Sequence, residues 1–600
     1  MKKMFAQLYQ LMTAQERRRL FLLMGIMIAA TFAELFGVWS VFGLLSILSE
    51  PELIAGSETL FGIKERLGLE TDLQFQQIAA IAVFVTLVLG IGFRALGQYS
   101  IIRYSAMRSH SISSRLLRKY LDRSYHWYLS RNSAEISRNV IGEVEIVVNA
   151  GIRPILELSS NILIASAMLA FLLVVDPFVT LLAFVLIGGS YAGIFLAVRR
   201  KLVRIGERVL EHNKVRFTAV NEAMGGFKQV KISGLEDNFG SRIENSSFDR
   251  ARLVSTQQLV SLMPRLALEG ITFGIMLLVV FVLLVRADGN LTQTLPTLGV
   301  FAFAVMRLLP AVQQIYVSLT SLKYATATVN HIHSDYMEAL AKEFEPEHSR
   351  NSDVFALTKE LRLNDVSFHY ANSEKTALDG VSMEIPARST IGIVGGSGAG
   401  KTTLVDLVLG LFQPQAGRMS VDGLLIDQSN VQDWQKSIGY VPQDIFLSDQ
   451  TVAENIAFGI DADKIDRDAV ERAAKLAHLH EFVRNELPNG YDTIVGERGV
   501  RMSGGQRQRI GIARAVYHQP SLLVMDEATS ALDNITERYV MQAINSIRKE
   551  KTVILIAHRL TTVKNCDAIF LMEEGQVVAK GTYDELIESS DTFRDMALGA

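Results

Sequence analysis

Apolar runs long enough to cross a bilayer recur six times in the first 340 residues of this 600-residue chain. They lie at roughly 20–48, 76–101, 156–175, 178–198, 262–286 and 295–318. Each holds about 20 residues or more, enough at 1.5 Å per residue to span a hydrocarbon core of roughly 30 Å. Backbone polar groups find no water at that depth, so each run is expected to be a helix that satisfies them internally. Asp176-Pro177 reads as a tight turn between the third and fourth runs. Basic clusters stand at Lys2, Lys3 and Arg17–Arg19, in "RYSAMRSHSISSRLLRK" after the second run and in "RRKLVR" after the fourth. The positive-inside rule makes these sides cytoplasmic and leaves both ends of a six-span domain inside. The first run is too long for a secretory signal and lacks a small-residue cleavage site, so it reads as a retained span.

The connections after spans two and four are charged, nearly free of proline and helix-patterned. Folded as two legs of about 25 residues, each would reach roughly 38 Å beyond the membrane. The one sizeable outer loop, about residues 49–75, contains "ELIAGSETLFGIKERLGL". This piece is expected to form a short amphipathic helix, either on the outer membrane surface or as an ordinary loop helix. A net charge of -3 gives no global basic field, which argues against nucleic acid as a partner. Cys566 is the single cysteine, so no intramolecular disulfide can form.

The pattern changes near residue 340. The polar, proline-interrupted "AKEFEPEHSRNSD" is followed by alternating strand-like runs, glycine turns and helical patterns. The expected organisation is a membrane domain over 1–340, a linker over 341–357 and an α/β domain over 358–600. In that domain "GGSGAGKT" (Gly395, Gly396, Ser397, Gly398, Ala399, Gly400, Lys401, Thr402) follows the strand "TIGIV" and opens the helix that begins "TLVDLVLGLF" at Thr403. Strand, loop and helix are the context that a phosphate-binding loop requires. Glycines admit backbone N–H groups to the phosphates, Lys401 reaches the β/γ-phosphates and Thr402 ligates Mg2+. "SLLVMDEATSALD" is a second apolar strand ending in two acids, Asp526 to hold Mg2+ and Glu527 to polarise the attacking water.

"RMSGGQRQRIGIARA" resembles the signature of ATP-binding-cassette proteins, with Ser503, Gly504, Gly505 and Gln506 at its start. Other parts of the cassette pattern have counterparts here. Tyr370 resembles the aromatic that stacks on adenine. Gln443 in "YVPQDIFLSDQTVAENIAFG" resembles the glutamine that senses magnesium. Asp533 in "SALD" resembles the loop that crosses the dimer, and His558 in "LIAHRLTT" the histidine at the γ-phosphate. "GERGVRMSGGQ" is similar to the segment before the signature in exporters, with Met502 where leucine is commoner. The resemblance implies a six-span helical membrane domain with long cytoplasmic helices, fused to an α/β P-loop nucleotide-binding domain. It further implies a homodimer with two competent sites for ATP and Mg2+, in which Ser503 and Gly505 act on ATP held by the partner. Short coupling helices are implied near Asp122–Arg131 and Gly225–Leu235. Lys401, Gln443, Glu527 and His558 are the implied catalytic set, and Thr402, Gln443 and Asp526 the metal set.

Three arginines fall in or near the ends of spans: Arg94, Arg265 and Arg307. Arg307 is about 12 residues into the sixth span, roughly 18 Å deep, where snorkelling is poor. Structural readings stand beside functional ones. Arg94 and Arg265 can snorkel to headgroups, Arg265 can pair with Glu269 on its helix, and Glu34 can neutralise Arg307. Facing inward, the three would suit a phosphate or diphosphate. The stretches "FAELFGVWSVFGLLSIL", "FRALGQY", "PRLALEGITFG" and "VMRLLPAVQQI" are similar to those of bacterial lipid-linked oligosaccharide flippases. That resemblance implies ATP-driven flipping of a lipid-diphosphate-linked glycan from inner to outer leaflet of a bacterial inner membrane, with the ATPase domain in the cytoplasm. The alternative is a general exporter of lipids, drugs or peptides with the same architecture.

Overall fold

The computed structural model describes residues 2–49, 57–286, 291–340, 355–370, 375–496, 499–527, 534–548, 550–557 and 559–598. The chain divides into two compact units, Met1–Arg123 with Ser130–Lys342, and Ser124–Leu129 with Glu343–Ala600. Most of the linker expected at 341–357, up to residue 354, lies outside the described residues, as do Asp533 and His558.

The first unit is helical. In chain order it contains α1 (Lys2–Gln10), α2 (Ala14–Ser49), α3 (Glu58–Arg66) and α4 (Asp72–Leu121). After the short α5 (Tyr125–Leu129) come α6 (Ser133–Val175), α7 (Pro177–Gly225), α8 (Phe227–Ser233), α9 (Glu236–Arg286), α10 (Leu291–Tyr324) and α11 (Thr326–Leu340). Among the described residues, five helices are long and apolar enough to cross a membrane: α2, α4, α6, α7 and Phe301–Tyr324 of α10. The fifth expected run falls within α9, partly among side chains that are not described.

Local chemistry sets the helix starts. Thr71 and Gln74 form a reciprocal capping box at the head of α4. Asp176 accepts from the N–H groups of Phe178 and Val179 at 3.0 and 3.1 Å, and Pro177 takes the first position of α7, where no donor is needed. At 50, 49 and 51 residues, α4, α7 and α9 run about 75 Å each, far beyond a hydrocarbon core. The surplus forms the expected legs. The outer-loop helix forms as α3, and its Leu60 packs against Ile47 and Phe75.

Within its leg, α6 winds as π-helix over Arg138–Glu143 and Val148–Ile152. A polar cluster is buried there. Arg138 stands 3.8 Å from the fully buried Glu143, Asn139 donates to Asp335 at 2.9 Å, and Tyr120 bonds the same carboxylate. Burial pushes the Glu143 carboxyl above its ordinary range.

The second unit holds two sheets. β1 (Glu360–His369), β2 (Thr376–Pro386), β4 (Ala416–Val421) and β5 (Leu424–Leu425) form an antiparallel sheet in the order β2-β1-β4-β5. The other sheet runs β10-β9-β3-β8-β7-β6, with β3 (Thr390–Gly395), β6 (Ile438–Val441), β7 (Leu522–Asp526), β8 (Thr552–Ile556), β9 (Ala568–Glu573) and β10 (Gln576–Gly581). Its strands pair in parallel except β10 with β9. Strands β3, β7 and β8 are buried along their length, which explains their unbroken apolar sequences. The helix that starts at the tip of β3 is α12 (Lys401–Val408), and the helix that packs against β6 is α13 (Gly504–Val516). Tyr125 of α5 packs in this unit, 5.8 Å from Phe412, which stacks on Phe368 at 4.8 Å. Both expected coupling segments thus contain a short helix, α5 and α8.

One close approach in the first unit admits only glycine. A Cβ on Gly206 of α7 would lie 2.0 Å from the backbone oxygen of Tyr324 on α10. Gly206→Ala should therefore force the two helices apart, at a cost of about 1–3 kcal/mol, the usual range for overpacking. A clear fall in thermal midpoint of the purified protein is the expected result; an unchanged midpoint would refute the contact.

Candidate nucleotide site and membrane arginines

A cavity of about 440 Å3 opens at the tips of β3 and β7 in the second unit. Ser397 through Thr403 line one side, Asp526 and Glu527 another, and Tyr370 a third. The loop is shaped by backbone that side chains would obstruct. Gly400 has φ 97°, and a Cβ there would fall 2.6 Å from the Ala377 carbonyl. Lys401 is buried and donates to the carbonyls of Gly395 and Gly396 at 2.8 and 2.9 Å. Its ammonium curls over the loop that the phosphates would occupy. Burial lowers its pKa, while the charges of Glu527 and Asp526 act the other way. A phosphate entering the cavity would add negative charge and favour the ammonium further.

Glu527 directly follows β7 with φ 45°, a left-handed backbone rare outside glycine. Its N–H donates to the Ile556 carbonyl at 3.0 Å, so the neighbouring strand β8 holds the turn. Gln443 donates its side-chain amide to Glu527 at 2.7 Å. The structure thus brings together Lys401, Thr402, Thr403, Gln443, Asp526, Glu527 and Tyr370. Tyr370 is fixed by a 3.1 Å hydrogen bond to Thr403 and by edge contacts with Phe368 and Phe412. Ser503, Gly504, Gly505 and Gln506 stand elsewhere, at the N-terminus of α13, where Ser503 and Gln506 form a capping box. Met502, the departure from the commoner leucine, is buried as an apolar residue should be.

The sequence reading missed several residues at this site. Lys375, Thr376, Ala377 and Glu574 line the cavity from the start of β2 and the β9–β10 turn. No motif marks them, because they arrive from remote chain positions. Arg514 is another. It donates to the carbonyls of Phe446 and Asn455 at 2.8 Å and lies over the Phe458 ring, tying the signature helix to the segment after Gln443. Burial lowers Arg514 to about 10.

In the first unit, Glu34 pairs with Arg94 at 3.5 Å. The carboxylate weighed as the neutraliser of Arg307 therefore serves Arg94. Arg307 is half-buried, and its guanidinium lies 5.6 Å from the Phe303 ring centre. Arg265 is exposed on α9. The three arginines thus sit on three different helices, α4, α9 and α10.

Sequence and structure comparisons agree with this geometry. Residues 20–308 match the family described as ABC transporter transmembrane region, and residues 378–530 the family described as ABC transporter. Similar relatives are named ATP-dependent lipid A-core flippase. The one from Cupriavidus pinatubonensis is 31% identical over 535 residues, covering 86% of each chain. The one from Cupriavidus metallidurans is 33% identical over 531 residues, again 86% of each. Among solved structures, a bacterial Atm1-family ABC exporter with ATP bound superposes with a TM-score of 0.74 at 23% identity, over 97% of this chain and 98% of that one, a likeness of fold. The chain belongs to the ABC transporter family: a transmembrane region and an ATP-binding ATPase domain on one polypeptide, coupling ATP hydrolysis to transport across a membrane.

Asp406, inside α12, yields a pH test. Burial, reinforced by the charge of Asp526, pushes its carboxyl up to about 6. The folded protein then keeps a proton that the unfolded chain has lost, so stability falls as pH rises from about 3.9 toward 6 and levels off above. Asp406→Asn should lack that fall. Plotted as variant minus parent, the thermal midpoint should climb between pH 4 and 6 and stay positive at pH 7.5. A flat difference would show that Asp406 titrates normally.

Proposed function

We propose that two copies of this chain assemble into an ATP-driven flippase for a lipid-diphosphate-linked oligosaccharide or a similar glycolipid. Each copy contributes six spans within residues 1–340, the fifth inside α9, then a linker over 341–357 and a cassette over 358–600. The basic clusters support a cytoplasmic cassette, and the likeness to bacterial flippases supports a bacterial inner membrane as its site. ATP binds the loop Gly395–Thr403, with Tyr370 on the adenine and His558 at the γ-phosphate. Ser503, Gly504, Gly505 and Gln506 of the opposite copy close over it. That the signature residues do not line their own chain's cavity supports this division of labour.

Thr402, Gln443 and Asp526 supply a hydroxyl, an amide carbonyl and a carboxylate. These hard oxygen donors suit Mg2+, which takes few protein ligands and completes its shell with water and phosphate oxygens. When bound, the ion neutralises charge on the phosphates. Glu527 orients and deprotonates the attacking water, and Gln443, 2.7 Å away, positions that carboxylate. Closing the cassettes stabilises one membrane conformation, and hydrolysis releases it.

The observation that carries the substrate reading is Arg307. It places a permanent charge in an apolar helix, with an aromatic ring as its neighbour. Together with Arg94 and Arg265 it supports recognition of a diphosphate, and the relatives' names favour a saccharide-bearing lipid. A second reading, export of uncharged amphipaths, is favoured by a cavity of about 430 Å3 among α6, α7 and α10, lined by residues such as Leu169, Phe184, Phe301 and Leu308.

Two experiments test the proposal. Glu527→Gln should retain ATP binding while turnover falls at least about 100-fold, as for loss of a general base; substantial hydrolysis would assign the base elsewhere. In nanodiscs, a polyprenyl diphosphate should stimulate the parent ATPase saturably and leave the Arg94/Arg265/Arg307 triple alanine variant unmoved. Equal responses would make the arginines structural and favour the general exporter.

A further inference from the structure

The seam between α2 and α4 carries a second set of charges, apart from the nucleotide site and from Arg94, Arg265 and Arg307. Deep in the leg, Glu16 pairs with Arg108 at 2.5 Å and with Arg115 at 3.5 Å. Both carboxylate oxygens are thereby engaged. Just above, where α2 and α4 enter their apolar stretches, a groove of about 280 Å3 opens between the helices. Arg19, Arg103 and Arg108 line it, with Tyr99 at its edge and Leu22 and Ile26 on its apolar side.

Two of its three charges, Arg19 and Arg103, are uncompensated, while Arg108 is paired with Glu16. Arg19 and Arg103 are exposed, and among the described residues neither forms an ion pair. Arg103 donates to the Tyr99 hydroxyl at 2.7 Å, a neutral partner. Arg108 is buried, and among the described residues its Nε finds no hydrogen-bond acceptor. Nearby Arg17 differs, since its guanidinium is satisfied by the Tyr9 carbonyl at 3.0 and 3.2 Å. The groove lies between two helices that are each long and apolar enough to cross a bilayer, which gives lipid a route to its apolar side. Arginines on the basic side, a tyrosine at the rim and aliphatic side chains toward the membrane centre match a headgroup phosphate with its acyl chain.

We propose that this groove is a binding site for the headgroup of an anionic phospholipid from the leaflet on the basic side of the membrane. The site is separate from Arg94, Arg265 and Arg307 and does not depend on which glycan is carried. Its volume suits a phosphate with its glycerol, while the acyl chains lie along Leu22 and Ile26.

The test is native mass spectrometry of the full-length protein in neutral detergent, titrated with phosphatidylglycerol. The first phosphatidylglycerol should bind saturably, and phosphatidylcholine much more weakly. Arg19→Ala with Arg103→Ala should weaken phosphatidylglycerol about 30-fold, from about one factor of five per basic residue at a membrane surface. Arg19→Lys with Arg103→Lys should retain most of the affinity. Arg199→Ala with Arg200→Ala, an exposed basic pair on α7, should leave it unchanged. Equal binding by parent and double alanine variant, or an equal loss in the α7 control, would overturn the site. Displacement of the lipid by millimolar inorganic phosphate would overturn the assignment to lipid. Arg19→Gln with Arg103→Gln serves the same comparison if the alanine pair does not fold.

Discussion

A peptide group inside a bilayer must find its hydrogen-bond partner within the protein, and that constraint organises the first unit. It turns each apolar run into a continuous helix and makes every charge along the helix an event to be accounted for. The seam between α2 and α4 shows the solutions at successive depths. Glu34 meets Arg94 high in the seam, and Glu16 meets Arg108 and Arg115 low in it. Arg19 and Arg103 stand between them at the boundary, where solvent or headgroups take the place of a carboxylate.

Helices that outrun the bilayer need a different support. Beyond the apolar stretches, α4, α6 and α11 hold one another through a buried polar cluster that joins Tyr120, Asn139 and Asp335. The first π-helical stretch of α6, Arg138–Glu143, falls at this cluster and carries Arg138, Asn139 and Glu143. Such a cluster is directional, unlike apolar packing, and so specifies how these legs register against each other.

The second unit answers the opposite problem, holding anions rather than excluding them. A buried parallel sheet brings Gly395, Asp526 and Ile556 to neighbouring strand ends. The phosphate loop, the two acids and the Glu527 turn therefore meet at one rim. Strain at Glu527 and the desolvated ammonium of Lys401 are tolerated because the surrounding strands leave them no alternative. Through Arg514 the signature helix is tied to the segment that carries Gln443, so a pull on either is felt by the other.

The sequence alone determined what is local. Span length follows from bilayer thickness, the turn between the third and fourth spans from Asp176-Pro177, and the phosphate loop from glycines, a lysine and a threonine at fixed spacing. The outer-loop helix was legible for the same reason, since amphipathic period is a property of adjacent residues. Partnership was not. That Glu34 meets Arg94, that Asp406 is pressed near Asp526, that Gly206 admits the Tyr324 carbonyl, and that Lys375 and Glu574 line the nucleotide cavity all depend on chain segments far apart in sequence. An ion pair or a close approach has no period along the chain; it exists only once packing has chosen which faces touch.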